Sequence, residues 1–348
     1  MSSLDRYTAA FGRWGLGMLR REFITFIGAA AAGWPLVARA QQTDRVRRIG
    51  ALMDIGETDA GAKGWVEAFE TSLDASGWHN GNNCAIDYRW GTSNPERLAR
   101  NAQELLQSTP DVFLVHGTPA LAPLRKANTT IPVVFTAVSD PVGQGFVANL
   151  SHPGGNMTGF SNYDPNIGGK WLQVLKEIAP SVTNVAVMFN PRTSPYNVTL
   201  FMPSIEVAAP TLGMVSSQVA VSDDDDVLRT IGLLGSKPGT GLIIPSDPFM
   251  FGRAALIASL AISNRLPAIY AFSGFARAGG LVAYGVDMEE QLRKAAGYVD
   301  RLLKGDKPAD LPVQTPIKYE FVINMRTAKA LGLTIPPDVL AIADEVIE

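Results

Sequence analysis

Val112-Phe113-Leu114-Val115, running into His116-Gly117-Thr118-Pro119-Ala120, is the stretch on which the fold turns. Four consecutive apolar residues are too few for a helix and suit a strand buried on both faces. Gly117 stops that strand, and Thr118-Pro119 opens a helix at Ala120, since Pro is already shaped for a first helical turn. Outward from this point the same alternation repeats. Strands are predicted at 48–53, 84–90 and 133–135. Helices are predicted at 62–75, where Trp65, Ala68, Phe69 and Leu73 share one face, and at 95–107, with Asn94 as N-cap and Pro95 at the first turn. Apolar strands separated by amphipathic helices indicate an α/β protein whose parallel sheet is covered on both sides.

A second series follows. Helices are expected at 170–178, 204–212, 226–234, 254–264 and 288–303, and strands at 185–189, 215–221, 241–244, 268–270 and 281–284. The Gly-rich run Gly154-Gly155-Asn156-Met157-Thr158-Gly159 between the two series reads as a joint and as the first crossing between two lobes. Two open α/β lobes joined in this way enclose a cleft. Ligands of such sheets sit beyond the carboxyl ends of the strands. Those ends carry Asp54 to Thr58, His116 to Pro119 and Thr136 to Pro141 in the first lobe. In the second they carry Asn190 to Tyr196, Pro245 to Pro248 and Ala271 to Ser273.

The chemistry these segments offer is recognition. The helix opened by Thr118-Pro119 presents free N–H groups to an anion, or else Thr118 simply caps it. Ser194-Pro195 repeats the pattern as a Ser cap with Pro. Asp140 and Asp247 each precede a Pro and either take a ligand ammonium or close their own turn. Tyr196, Tyr270 and Phe272 stack on an apolar ligand or pack in the core. Catalytic patterns are missing: His79, His116 and His152 lack metal-ligand spacing, and no Gly-x-Ser-x-Gly elbow, phosphate loop or dinucleotide fingerprint occurs. The acidic run Asp223 to Asp226 lacks the Gly and distal Glu of a calcium loop and reads as a helix start.

The amino terminus and the composition set the compartment. Arg20-Arg21-Glu22-Phe23, an apolar run from Ile24 to Val37, and Ala38-Arg39-Ala40 have the order of an export signal cleaved after residue 40. The paired arginines suit the twin-arginine route, with the Sec route as the alternative, and Met18 is a second candidate start. The formal charge of the chain is −3; residues 1–40 hold five arginines against Asp5 and Glu22, so the remainder carries −6. That acidity, with no basic cluster, argues against nucleic acid as a partner. Hydrophobic residues make up 46% of the chain, enough for a buried core. The single Cys84 forms no internal disulfide and reads as a buried thiol in a strand.

Taken in order, Arg20-Arg21-Glu22-Phe23-Ile24, Gly117-Thr118-Pro119-Ala120, Ser139-Asp140-Pro141-Val142, Pro153 to Gly159 and Ala328-Lys329-Ala330-Leu331-Gly332-Leu333-Thr334-Ile335-Pro336-Pro337 resemble the substrate-binding proteins of ABC transporters, of the tryptophan-binding type. The resemblance covers essentially the whole chain beyond the leader. It implies a periplasmic-binding-protein fold of type I, two Rossmann-like lobes with parallel sheets joined by a three-crossover hinge. By the same analogy lobe 1 is 46–159 with 288–314, and lobe 2 is 160–287 with 315–348. The cleft carried over from the family comprises Glu57, Thr118, Ser139 and Asp140 on one side and Ser161, Asn190, Tyr196 and Asp247 on the other, with Asp287 near a crossover. The implied protein is a periplasmic monomer, without cofactor or metal, that captures an amino-acid-like or aromatic solute and delivers it to an inner-membrane ABC permease. A sensor that presents its closed form to a membrane receptor fits the same residues. An exported α/β enzyme is the third reading, and the lack of a paired nucleophile and base counts against it.

Overall fold

The computed structural model describes residues 45–348, so the export-signal reading of residues 1–40 lies outside the described residues. Val46–Glu348 pack as one unit built on two sheets. The first holds β1 (Arg47–Met53), β2 (Cys84–Trp90), β3 (Val112–His116), β4 (Val133–Val138) and β5 (Met157–Ser161), in the order β2-β1-β3-β4-β5 and parallel throughout. β3, β4 and β5 are buried along their whole length, which is why the apolar runs of β3 and the first half of β4 are continuous rather than alternating. Helix Ala62–Ala75 buries Trp65, Phe69 and Leu73, a repeat of four residues that puts them on one face. The later helix Met288–Leu303 packs on that helix and on β4.

The second sheet holds β6 (Asn184–Phe189), β7 (Val215–Ala220), β8 (Thr240–Ile244), β9 (Ala268–Tyr270), β10 (Val282–Val286), β11 (Tyr319–Asn324) and β12 (Glu345–Ile347), in the order β12-β11-β10-β9-β8-β6-β7. All its pairings are parallel except β10 with β11. Three features of the sheets differ from the sequence expectation. Residues 157–161 form a strand of the first sheet, where a joint was expected. Gly159 allows this: at φ +149 its backbone passes so close to β4 that a Cβ would lie 2.0 Å from the Phe135 carbonyl oxygen. β11 and β12 were not foreseen, nor was the antiparallel pairing. Cys84 is buried and free, as expected.

The chain passes between the sheets three times. It leaves β5 at Ser161 for β6, leaves β10 at Val286 for the helix that packs on the first sheet, and returns through Gln314 to β11. Gln291 and Gln314 knit these passages together. Gln291 Oε1 accepts from Ala137 N at 3.1 Å, and its Nε2 donates to Ser161 O at 2.8 Å. Gln314 O accepts from Ser161 N at 2.8 Å, and Gln314 N donates to Gly159 O at 2.9 Å.

Candidate functional site

The carboxyl ends of β1, β3 and β4 face those of β6, β8 and β9 across a cleft. Asp54, Ile55, His116, Thr118, Ala137, Ser139 and Gln144 border it from one side. Thr193, Ser194, Pro195, Tyr196, Ser246 and Pro248 border it from the other. Among the described residues, no Lys or Arg borders the cleft. The two sides are shut on each other. Ser93 Oγ donates to Pro248 O at 2.7 Å, and Arg192 pairs with Glu96 at 2.8 Å. Asn162, on the first crossing, accepts from Ser139 Oγ at 2.8 Å and donates to Ser246 Oγ at 2.9 Å. In this state the cavity is about 40 Å³, room for a few waters at most. A solute of amino-acid size enters only when the lobes part.

Aromatic rings fill what would otherwise be open space. The indole of Trp65 lies between the imidazole of His116, 4.8 Å away at 23°, and the ring of Phe251, 5.2 Å away at 13°. Phe272 closes the group, tilted 59° to Trp65 at 6.4 Å. Trp65 comes from the first lobe and Phe251 from the second, so this stack is itself part of the closure.

Beneath the stack, His116 Nδ1 is 2.8 Å from Asp54 Oδ1, and both side chains are almost wholly buried. Strand register makes the pair: Met53 stands opposite His116, so the next residue of β1 reaches the imidazole. Gly117 makes it possible. At φ +88, with a Cβ that would lie 1.7 Å from Asp54 Oδ2, no other residue leaves the carboxylate its place. His116 Nε2 is buried without a hydrogen-bond partner, so no hydroxyl is held against it as a nucleophile would be.

Of the residues expected to form the site, Thr118, Ser139 and Tyr196 border the cleft. Thr118 does not cap its helix. It is the first helical residue, Gly117 is the N-cap without a side-chain bond, and Thr118 Oγ1 accepts from Ser139 N at 3.3 Å. Likewise Ser194 caps nothing: the next helix begins at Asn197, and Ser194 Oγ donates to Ser246 O. Asp140 closes its own turn, accepting from Gly143 N at 2.9 Å. Glu57 is exposed and Ser161 is buried at the crossing; neither borders the cavity.

Asn190 and Asp247 lie under the cleft rather than in it. Asp247 is fully buried, and its oxygens accept from Asn190 N (2.7 Å), Thr193 Oγ1 (2.7 Å) and Phe249 N (2.9 Å). That carboxylate fastens the 190–193 turn to the 246–250 turn and has no side open to a ligand ammonium. Burial nonetheless pushes its carboxyl up to about 6, against the pull of these donors. Asp287 caps helix Met288–Leu303 through Glu290 N and meets Lys318 Nζ at 2.7 Å. Burial alone would raise its carboxyl, but Lys318 and the Glu290 N–H hold it below the usual range.

Sequence reasoning missed Asp54, Trp65, His116, Gln144 and Phe251 as members of the site. Asp54 and His116 did stand in the strand-end segments, whereas Trp65 carried only the signal of a core face. Among the described residues no group of three or more His, Cys, Asp or Glu is arranged to hold a metal.

The family model described as ABC transporter substrate binding protein matches residues 55–347. A Tyrosine-binding protein from Clostridioides difficile (strain R20291) is 28% identical over 285 residues, 82% of this chain and 80% of that protein. The crystal structure of an ABC domain in complex with L-Trp from Streptococcus pneumonia is 25% identical, covers 87% of this chain and 100% of its own, and superposes with a TM-score of 0.79. A conserved domain protein from Vibrio cholerae superposes equally well, at 0.79 with 27% identity over 87% of this chain and 100% of that one. The ligand-free, open structure of a substrate binding protein with adhesive properties from Clostridium difficile, 26% identical over 87% of this chain and 99% of that one, superposes at 0.63. The lower score against an open form accords with the shut lips at Ser93–Pro248 and Glu96–Arg192.

Proposed function

This chain belongs to the family of ABC transporter substrate-binding proteins, and from that premise we propose that its cleft captures an aromatic amino acid outside the cytoplasm for delivery to an ABC permease. The observation that carries the reading is the lining of the cleft: a stack of aromatic rings contributed by both lobes, hydroxyl groups around it, and no Lys or Arg at its border. Rings match an aromatic side chain in a water-excluding site. Without a cation, a ligand carboxylate is met by the dipole of the uncapped helix Thr118–Lys126. Tyr196 covers the mouth of the cleft from the second lobe. The proposed hinge passes through Ser161, Asp287 and Gln314, between lobes 46–159 with 288–314 and 160–287 with 315–348. Ligand shifts the balance between parted and shut lobes. The solute leaves as it arrived, because His116 faces no nucleophile. The proposed location is the periplasm, reached by cleavage of the leader after residue 40.

The test is calorimetry on residues 41–348 with L-Trp, L-Tyr, L-Phe, L-Leu and a sugar alcohol. At least one aromatic amino acid is expected to bind ten or more times tighter than L-Leu, about 1.4 kcal/mol, and to be recovered unchanged. Binding of the sugar alcohol with none of the aromatic amino acids would refute the proposal.

A further inference from the structure

We infer that His116 is a specificity-determining residue of the cleft, its Nε2 accepting a hydrogen bond from an N–H or O–H carried on the ring of the bound amino acid. The inference rests on the aromatic amino-acid reading above and narrows it to indole- or phenol-bearing ligands over plain phenyl ones.

His116 is 3% exposed, yet it borders the cleft cavity. A buried polar atom without a partner is uncommon in folded proteins and costly, and such atoms concentrate where function requires them. His116 Nε2 is such an atom. Its neighbours fix which kind of partner it awaits. Asp54 is bonded to Nδ1, and a carboxylate only accepts, so Nδ1 carries a proton, and in the neutral imidazole Nε2 then presents a lone pair. The pair is held rigidly: the Asp54 carboxylate is wedged against Gly117, and the Asp54 N–H donates to His116 O at 3.2 Å. His116 also lies at the end of the ring stack His116–Trp65–Phe251. A ligand ring that joins or displaces part of this stack brings its edge to Nε2, while the amino end of helix Thr118–Lys126 serves the carboxylate of the head. A ring N–H or O–H then completes the imidazole, and a bare phenyl leaves it unsatisfied.

The experiment measures binding of two ligand pairs to residues 41–348 by calorimetry: L-Trp against its sulfur isostere benzothienylalanine, and L-Tyr against L-Phe. Wild type is expected to prefer the donor-bearing member of at least one pair by roughly 5- to 30-fold, the worth of one or two kcal/mol. H116F keeps a ring in the stack but has no nitrogen. It is expected to reduce the preference to about twofold or less, whatever happens to the affinity for the donorless ligand itself. Because H116F leaves Asp54 without its partner and can unfold, D54N is the second variant. It keeps His116 in place and frees its tautomer, and the same preference is expected to shrink, with thermal melting as the check on folding. If wild type shows no preference, or if the preference survives in whichever of the two variants folds, the assignment of His116 is overturned while the aromatic amino-acid reading stands. If none of the four ligands binds wild type, the broader reading has failed and takes this one with it.

Discussion

Asn in place of Asp247 sets burial against hydrogen bonding in a way that a pH series can read. In the folded protein the carboxyl lies at about 6 rather than its ordinary 3.8, because burial penalises its charge more than the surrounding N–H and O–H groups favour it. The native state therefore holds a proton that the unfolded chain has already lost. Between the two values stability falls as pH rises, by about 1.4 kcal/mol per pH unit and about 3 kcal/mol in all. The contribution is fully present below about pH 3.8 and is gone once pH has risen through about 6. D247N has one accepting oxygen for donors that now share two, so it should begin about 1–3 kcal/mol less stable at acid pH. It has no titration at this position. Urea denaturation of both proteins from pH 4 to 7.5 gives the difference, wild type minus variant, which should decline up to about pH 6 and then level off. A difference that stays flat, or that grows with pH, would mean that the bonds from Asn190, Thr193 and Phe249 outweigh desolvation, and the account of Asp247 would be wrong.

Gly117→Ala forces a left-handed residue to carry a Cβ and drives the Asp54 carboxylate from His116; together these should cost about 3–5 kcal/mol in urea denaturation. Trp65→Ala removes the ring between His116 and Phe251, and a loss of about 3–5 kcal/mol is expected, along with most of any ligand-dependent change in tryptophan emission. Glu96→Gln breaks only an exposed ion pair across the lips, so calorimetry should show ligand affinity altered by less than about threefold at physiological salt. Gln291→Leu removes the bonds to Ala137 and Ser161 at the crossings and should cost about 1–3 kcal/mol of stability in urea denaturation.

The strands that were legible are those whose environment leaves a mark on composition. β3, β4, β6 and β8 are buried on both faces and so carry unbroken apolar runs. β11, Tyr319-Glu320-Phe321-Val322-Ile323-Asn324, mixes a charge with apolar residues, and its antiparallel partner is chosen by a chain reversal of more than thirty residues that no local pattern records. The site divides in the same way. Thr118, Ser139 and Tyr196 were readable because strand ends point into the cleft of an open sheet. Asp247 looked identical to a cleft carboxylate, since sequence does not say where the donors around it will stand. Trp65 has the spacing of a core residue on its helix, and it is one in part: it packs on His116 of its own sheet with one contact and on Phe251 of the other lobe with another. Asp54 and His116 are 62 positions apart and meet only through the β1–β3 register.

The three crossings also order events during synthesis. The first sheet ends at Ser161, but the helix that covers its face, Met288–Leu303, is made more than a hundred residues later, and the second sheet waits for β11 and β12 at the very end. At translation speeds of roughly 5–20 residues per second, β5 stands uncovered for about 6–25 s before that helix emerges. Neither lobe can finish before the other has nearly been made, so the nascent chain stays open for most of its synthesis and then closes almost at once. For any chain of this topology, a machine that threads unfolded polypeptide has a long window, whereas one that accepts finished proteins meets a single, sharply defined substrate.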